Sequence, residues 1–337
     1  MSTQITLTGI TTTGTPHLGN YVGAIRPAIE ASRHPEGQSF YFLADYHSLI
    51  KCHDPERVNQ SSKEVAATWI ALGLDTDKAI FYRQSDIPEI LELTWILTCM
   101  TAKGLMNRAH AYKAAVADNE TAGTRDPDQG IGMGLFSYPI LMAADILMFR
   151  ATRVPVGRDQ VQHLEMARDI ALRFNHHYGD LFVPPEAVVD ENTAVLIGLD
   201  GRKMSKSYNN TIPLFLPEKK LRKLIMKIKT DTSPPEAPKD PQTSSLFAIY
   251  QAFADPDAVA SMRRRYAEGI SWGEMKQTLF ETIDAVLAEA RRRYVELVAD
   301  PDYIETVLQK GARRAREVSA PFLSKIRHAA GIRPIGK

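Results

Sequence analysis

Two lysines three residues apart, Lys203 and Lys206, enclose Met204 and Ser205 in the string Lys203-Met204-Ser205-Lys206-Ser207. Paired cations with interleaved hydroxyls on a loop are suited to close over a pyrophosphate and to neutralise charge that develops as it leaves. Gly198 and Gly201 before the string and Asn209-Asn210 after it are loop-forming residues. The bland alternative is a solvated basic loop, but a five-residue string is far more specific than a short glycine pattern. A second candidate is Thr8-Gly9-Ile10-Thr11-Thr12-Thr13-Gly14-Thr15-Pro16-His17-Leu18-Gly19-Asn20. Its glycines let backbone approach a bulky ligand, and a helix after them would offer unpaired N–H groups and a positive dipole end to phosphate. His17 and Asn20 add donors, yet an ordinary strand-to-helix turn reads the same way, and this segment alone does not decide between the two.

A third feature is a carboxylate out of place. Ile131 to Phe149 is almost uncharged, and about 20 such residues span a bilayer. It also contains Tyr138, Pro139 and a central Asp145, and an isolated carboxylate at mid-bilayer is costly. The segment therefore reads as a helix buried in protein, where Asp145 needs a partner. Arg150 or Arg153 would be a structural one.

The elements that must hold these residues alternate. ITLTGI (5–10), SFYFLA (39–44), KAIFYR (78–83) and TRVPVG (152–157) read as strands. Helical spacing runs from Leu18 to Ser32, from Pro55 to Leu72, from Pro88 to about Met100, over 134–148, and from Arg158 to His177. Such alternation predicts an α/β domain with a doubly wound, mostly parallel Rossmann-type sheet that binds ligands at the carboxyl ends of its strands. From Leu214 onward, helical segments broken by Pro234-Pro235, Pro238, Pro241, Asp255-Pro256 and Asp300-Pro301 predict a second, all-helical domain. The division is placed at 1–200 and 201–337, with C-terminal helices able to pack back on the first domain.

The whole chain, 337 residues with 41 basic and 40 acidic side chains, is ordinary for a globular protein and excludes a disordered or collagen-like one. Its balance hides an asymmetry: residues 1–200 carry 16 basic and 24 acidic side chains, and residues 201–337 carry 25 and 16. An acidic half followed by a basic half suggests two tasks, one of them on a polyanion. Basic clusters at Lys219–Lys229, Arg263–Arg265, Arg291–Arg293 and Arg313, Arg314 and Arg316 are either phosphate contacts or solvated helix faces. Two cysteines, Cys52 and Cys99, support neither a disulfide framework nor a zinc finger, and no metal-ligating set is read. With no signal-peptide pattern at the N-terminus, a cytoplasmic protein without a membrane partner is expected.

The two loops together resemble the paired signatures of class I aminoacyl-tRNA synthetases: His17-Leu18-Gly19-Asn20 for the HIGH element and an intact KMSKS. Between them, Tyr138–Leu147 and Val154–His163, with Asp45-Tyr46-His47 and Thr8-Gly9-Ile10, look like the bacterial tryptophanyl branch. The resemblance covers essentially the whole chain. It implies a ligase that activates L-tryptophan with ATP, Mg²⁺ accompanying the nucleotide, and then charges tRNA(Trp). Catalysis would fall to His17, Asn20, Lys203, Ser205 and Lys206. ATP would be held by Thr11, Thr12, Thr13, Gly19, Asn20, Gly157, Asp159 and Lys113, with Lys203, Met204, Ser205 and Lys206 closing on it. Tryptophan would meet Gly9, His47, Tyr138, Met142, Asp145, Val154, Val156 and Gln160, with Asp145 accepting the indole N–H. It also implies a homodimer and a helical domain that binds the anticodon.

Several positions depart from that pattern. Thr11-Thr12-Thr13 stands where many bacterial relatives carry Gln-Pro-Ser, His17 where they often carry Thr, and Arg158 where they carry an acid. Ala115 replaces a lysine, which leaves open the identity of the cation of the 103–115 segment that meets ATP. Three other readings compete: a tyrosyl-tRNA synthetase of the same architecture, a non-catalytic RNA-binding paralogue, and a small-molecule adenylyltransferase. The apolar setting of Asp145 weighs against the first, the intact loop lysines and glycines against the second, and the basic helical half against the third.

Overall fold

Short runs rich in aromatic and β-branched residues, separated by segments long enough to cross back, can pair in parallel. The computed structural model of the protein, which describes residues 4–33, 37–157, 160–189 and 196–336, has five such strands. They are β1 (Gln4–Thr11), β2 (Gly37–Ala44), β3 (Ile80–Arg83), β4 (Arg153–Val156) and β5 (Glu186–Val189), in the order β3-β2-β1-β4-β5. Every pairing is parallel, with β1 against β2 from Gln4 opposite Gly37 to Thr11 opposite Ala44. The order reverses between β1 and β4, so the crevice at their carboxyl ends is the switch point where open α/β sheets bind ligands. The doubly wound sheet expected from the alternation is present. β5 is the strand that the sequence pattern does not announce, because it follows Pro184-Pro185.

The helices of the first half are α1 (Leu18–Asn20), which continues through a π turn (Tyr21–Ile25) into α2 (Arg26–Ser32), then α3 (Asp45–Ser48), α4 (Pro55–Ala71), α5 (Pro88–Met100), α6 (Lys103–Met106), α7 (His110–Thr121), α8 (Met133–Met148) and α9 (Val161–Tyr178). Pro55 and Pro88 each occupy the first turn of a helix, where no N–H is needed. The period of two in β2 divides the core. Phe40 and Phe42 face a layer built from α5, α8 and α9, while Tyr41 and Leu43 face α2 and α4. The second half supplies α10 (Glu218–Ile225), α11 (Ser245–Phe253), α12 (Pro256–Glu268), α13 (Trp272–Ala299) and α14 (Pro301–Ala329). A third core joins Leu18, Tyr21 and Val22 to Met204, Ile212 and Leu214 and to the apolar faces of α10–α13. Among the described residues no helix is long and apolar enough to cross a membrane.

Helix α14 lies back on the sheet. Ile304, Val307 and Leu308 enter the core beneath Tyr41, and Ala312, Ala315 and Leu323 enter the other. Arginines tie it there: Arg314 donates to the carbonyls of Thr76, Lys78 and Ala79, Arg316 pairs with Glu89, and Arg327 with Glu92. Of the four basic clusters, this one is therefore partly structural. In the others, Arg265 pairs with Glu274, and Arg292 with Glu289 and Glu296. Lys219, Lys220 and Lys223 of α10 stay exposed on the face opposite Leu221 and Ile225.

Contact between α14 and β3 is so close at Gly311 that a Cβ there would lie 1.7 Å from the Phe81 carbonyl oxygen. Backbone cannot yield as a flexible side chain does, so Gly311→Ala is expected to destabilise the protein by ~3 kcal/mol, at the upper end of ordinary overpacking. The urea midpoint falls accordingly; an unchanged midpoint would show that α14 does not pack on β3 as described.

Candidate functional site

At the switch point the two loops of the sequence meet. Thr12 closes β1 inward: it is fully buried, its N–H donates to Ser48 Oγ at 2.8 Å, and its hydroxyl shares a hydrogen bond with the same oxygen at 2.8 Å. Ser48 thus takes the Thr12 N–H and shares its hydroxyl, while Thr11 is exposed and Thr13 half-buried. His17 and Asn20 form a reciprocal cap on α1, the His17 Nδ1 accepting from the Asn20 N–H at 3.3 Å and the Asn20 Oδ1 from the His17 N–H at 3.1 Å. The backbone of this turn is stitched to the segment after the second loop through Leu18 N–H to Ile212 O and Leu214 N–H to Pro16 O.

Lys206 reaches across to the first loop, donating from Nζ to the Gly14 carbonyl at 2.8 Å. Gly14 has φ +144°, and a Cβ there would lie 2.7 Å from an Arg57 guanidinium nitrogen and 3.3 Å from Lys206 Nζ. Two cations therefore converge on one glycine. Burial, then the Arg57 charge, hold the Lys206 ammonium below its ordinary pKa, with Glu64 acting in the opposite sense. Glu64 also accepts from the Thr15 hydroxyl at 2.7 Å. Met204 is buried near Gly19, and Lys203 pairs as a β-bridge with Ile197. Asn210 pins the second loop: its Oδ1 accepts from the Ser205 N–H at 2.8 Å, and its Nδ2 donates to Asp200 at 2.7 Å and to the Lys203 carbonyl at 3.0 Å. That Asn210 bond, followed by those from Arg202, takes Asp200 down to about 2. Arg57 and Glu64 escaped the sequence reading, since only the folded chain brings them to the loops, and Asn210 was read there only as a loop-forming residue.

The other wall of the crevice is a buried carboxylate. Asp145 of α8 is 1% exposed, and neither Arg150 nor Arg153 pairs with it. Its Oδ2 is 2.9 Å from His47 Nε2, and Gln84 Nε2 donates to Oδ1 at 2.8 Å and to Oδ2 at 2.9 Å. Both partners stand at carboxyl ends of strands, His47 after β2 and Gln84 after β3. Burial raises the Asp145 pKa, and the bonds from His47 and Gln84 oppose that shift. The same negative charge, added to burial, pushes the buried Tyr82 phenol well up. Gln84 was not among the candidates, although its place just after an apolar strand was the available signal.

Tyr138 and Gln160 are brought together through a third residue, His163. The Tyr138 hydroxyl is 2.7 Å from His163 Nε2, and His163 Nδ1 is 2.8 Å from Gln160 Oε1. The His47 ring stands edge-on to Tyr138 with centroids 6.4 Å apart. Val154 belongs to the core that also holds the apolar flank of α8, and Met142 and Val156 pack half-buried against it. Gly9 lies in β1 against the Phe42 ring. Lys113 is exposed on α7, and Gly157 follows β4. Arg158 and Asp159 lie outside the described residues.

The family described as tRNA synthetases class I (W and Y) matches residues 2–288. The tryptophan–tRNA ligase of Pseudomonas aeruginosa is 62% identical over 338 residues, covering 99% of this chain and 75% of that protein. Its counterpart from Neisseria meningitidis is 60% identical over 335 residues, covering 99% of this chain and all of that protein. The crystal structure of tryptophanyl-tRNA synthetase from Campylobacter jejuni complexed with ADP and tryptophan matches with a TM-score of 0.88 at 42% identity, covering 97% of this chain and 100% of that one.

Burial, and secondly the Lys206 ammonium, lower the His17 pKa from 6.5 to about 4. Between those values the unfolded chain binds a proton that the folded chain does not, so this residue's contribution to stability is lost as pH falls from 6.5 towards 4. An NMR titration is expected to place the His17 midpoint near 4, and Lys206→Met to move it only part of the way up, because burial is the larger cause. A midpoint at the ordinary value would contradict a buried, neutral ring.

Proposed function

The chain belongs to the class I tRNA synthetases for tryptophan and tyrosine, and from that premise we propose that it is a tryptophan–tRNA ligase whose two loops and buried carboxylate carry the reaction. The observation that carries this reading is Asp145. A carboxylate buried in an apolar helix, oriented by His47 and Gln84 at the carboxyl ends of two neighbouring strands, suits a ring N–H donor. Phenylalanine offers no such donor. A site built around a buried acceptor rejects it by about 10⁴-fold, because the carboxylate would be left short of a partner.

Tryptophan's carboxylate attacks the α-phosphorus of ATP, the bond to the bridging oxygen breaks, and pyrophosphate leaves. The terminal ribose hydroxyl of tRNA(Trp) then attacks the acyl carbon of the adenylate, and AMP departs. No side chain need become a nucleophile. The chain's part is to position the reactants and to balance their charge. Lys206, with Lys203 and the Ser205 hydroxyl, meets the charge on the departing pyrophosphate, from a loop already latched to the Gly14 carbonyl. His17 and Asn20 lock the start of α1 beside the nucleotide site, and Gly19 keeps that turn close to Met204. Thr11, Thr13, Gly157, Asp159 and Lys113 complete the nucleotide site. Mg²⁺ enters as part of the ATP substrate; among the described residues no group of three or more His, Cys, Asp or Glu side chains is placed to hold a metal ion. Tyr138 and Gln160, coupled through His163, hold the ammonium end of tryptophan, and Met142, Val154 and Val156 flank its ring.

For the RNA step, the exposed lysines of α10 and the helices α10–α13 around them form the anticodon-binding part. The molecule acts as a cytoplasmic homodimer, with each anticodon read across the pair.

Tryptophan-dependent ATP–pyrophosphate exchange tests the proposal. The wild type is expected to exchange with tryptophan and not with tyrosine, and Lys206→Ala to lower kcat on the order of a hundredfold, the usual loss for one transition-state contact. Exchange with neither amino acid would sink the enzyme reading. An unaffected Lys206→Ala variant would sink the role given to the second loop.

A further inference from the structure

Gln84 lies in none of the motifs that carry the family resemblance, yet it is fully buried at the carboxyl end of β3. Its Nε2 donates to both oxygens of Asp145, while its Oε1, equally buried, has no hydrogen-bond partner among the described residues. An amide retained only for packing would satisfy both of its ends or give way to an apolar side chain. Here one end is left unsatisfied, and the other forks across a carboxylate. The fork holds the plane of that carboxylate: with Gln84 on Oδ1 and both His47 and Gln84 on Oδ2, rotation about the Cβ–Cγ bond of Asp145 breaks hydrogen bonds on both oxygens.

The base of Gln84 is fixed as firmly. Arg83 before it binds Asp86 at 2.9 Å and Glu305 of α14 at 3.0 Å, and the Ser85 N–H after it donates to Asp45 Oδ1 at 3.1 Å. An ionised carboxylate offers about four lone-pair sites. Beside His47 and the forked amide, it keeps room for one donor more.

We propose that Gln84 is a positioning residue for amino-acid selection, holding the Asp145 carboxylate so that its remaining lone pair meets the ring N–H of the substrate. The proposal rests on the reading of Asp145 given above, and it adds the residue that makes the acceptor directional. Gln84 itself does not touch the reacting atoms.

Gln84→Met keeps the length of the side chain and removes the donor. The measurement is the ratio of kcat/KM for tryptophan to kcat/KM for β-(3-benzothienyl)alanine, in which sulfur replaces the ring N–H, both in pyrophosphate exchange. The wild type is expected to favour tryptophan. The variant is expected to lose that preference by on the order of tenfold or more, mainly through KM for tryptophan, with KM for ATP unchanged. A general loosening of the pocket would slow both substrates alike, so an unchanged ratio overturns the proposal. Should Gln84→Met fail to fold, Gln84→Leu is read in the same way: a fallen ratio supports the proposal and an unchanged ratio overturns it. A wild type that does not favour tryptophan over its sulfur isostere overturns the reading of Asp145 and this proposal with it. A selective wild type with equally selective variants overturns the role of Gln84 alone.

Discussion

The constraint on which the rest of the structure depends is the burial of one carboxylate. Asp145 sits on α8 among Ala143, Ala144, Ile146 and Leu147, all buried, in surroundings that favour its neutral form. It remains useful as an acceptor only if the fold returns part of what desolvation takes away. His47 and Gln84 do this, and they come from the ends of two different strands, 98 and 61 residues away in sequence. The parallel order β3-β2-β1 sets both ends beside α8, so sheet topology and site chemistry are one requirement. The buried Gln84 Oε1, without a partner among the described residues, costs about 1–3 kcal/mol, which is consistent with a residue kept for its amino group.

From that carboxylate the structure extends in two directions. Towards the C-terminus, α14 clamps β3 through Gly311 on the Phe81 backbone and through Glu305 on Arg83. The last helix of the chain thereby steadies the strand that ends in Gln84. Towards the nucleotide side, the third core runs from Leu18 through Met204 to α11 and α13, and Lys206 ties the second loop to Gly14. The loops are thus joined by apolar packing and backbone hydrogen bonds beneath and by the Lys206 ammonium on the Gly14 carbonyl above. The low pKa of His17 belongs to the same arrangement, since a neutral ring can accept the Asn20 N–H while a lysine stands nearby.

Much of this was legible in the sequence. The unbroken apolar run of Phe40, Tyr41, Phe42 and Leu43 reads as a strand, which the structure buries on both faces, and Pro88 marks the start of α5 at the residue where it begins. The singular position of Asp145 was plain from composition alone. What could not be read is tertiary. β5 follows a proline pair that looks like loop, and Gly311 looks like a weak point in a helix until Phe81 is set against it. Thr12 looks like its neighbours until Ser48 claims it, and Gln84 looks like any polar residue after a strand. The basic clusters of the second half are alike as strings; partners elsewhere in the chain set Arg314 and Arg316 apart from Lys219 and Lys223.

The most direct test of the central claim is a structure of the chain with tryptophan bound. The indole nitrogen is expected within roughly 3 Å of an Asp145 carboxylate oxygen, with the bonds from His47 and Gln84 still in place. An indole nitrogen facing another acceptor, or an Asp145 carboxylate turned away to pair with Arg150 or Arg153, would contradict it.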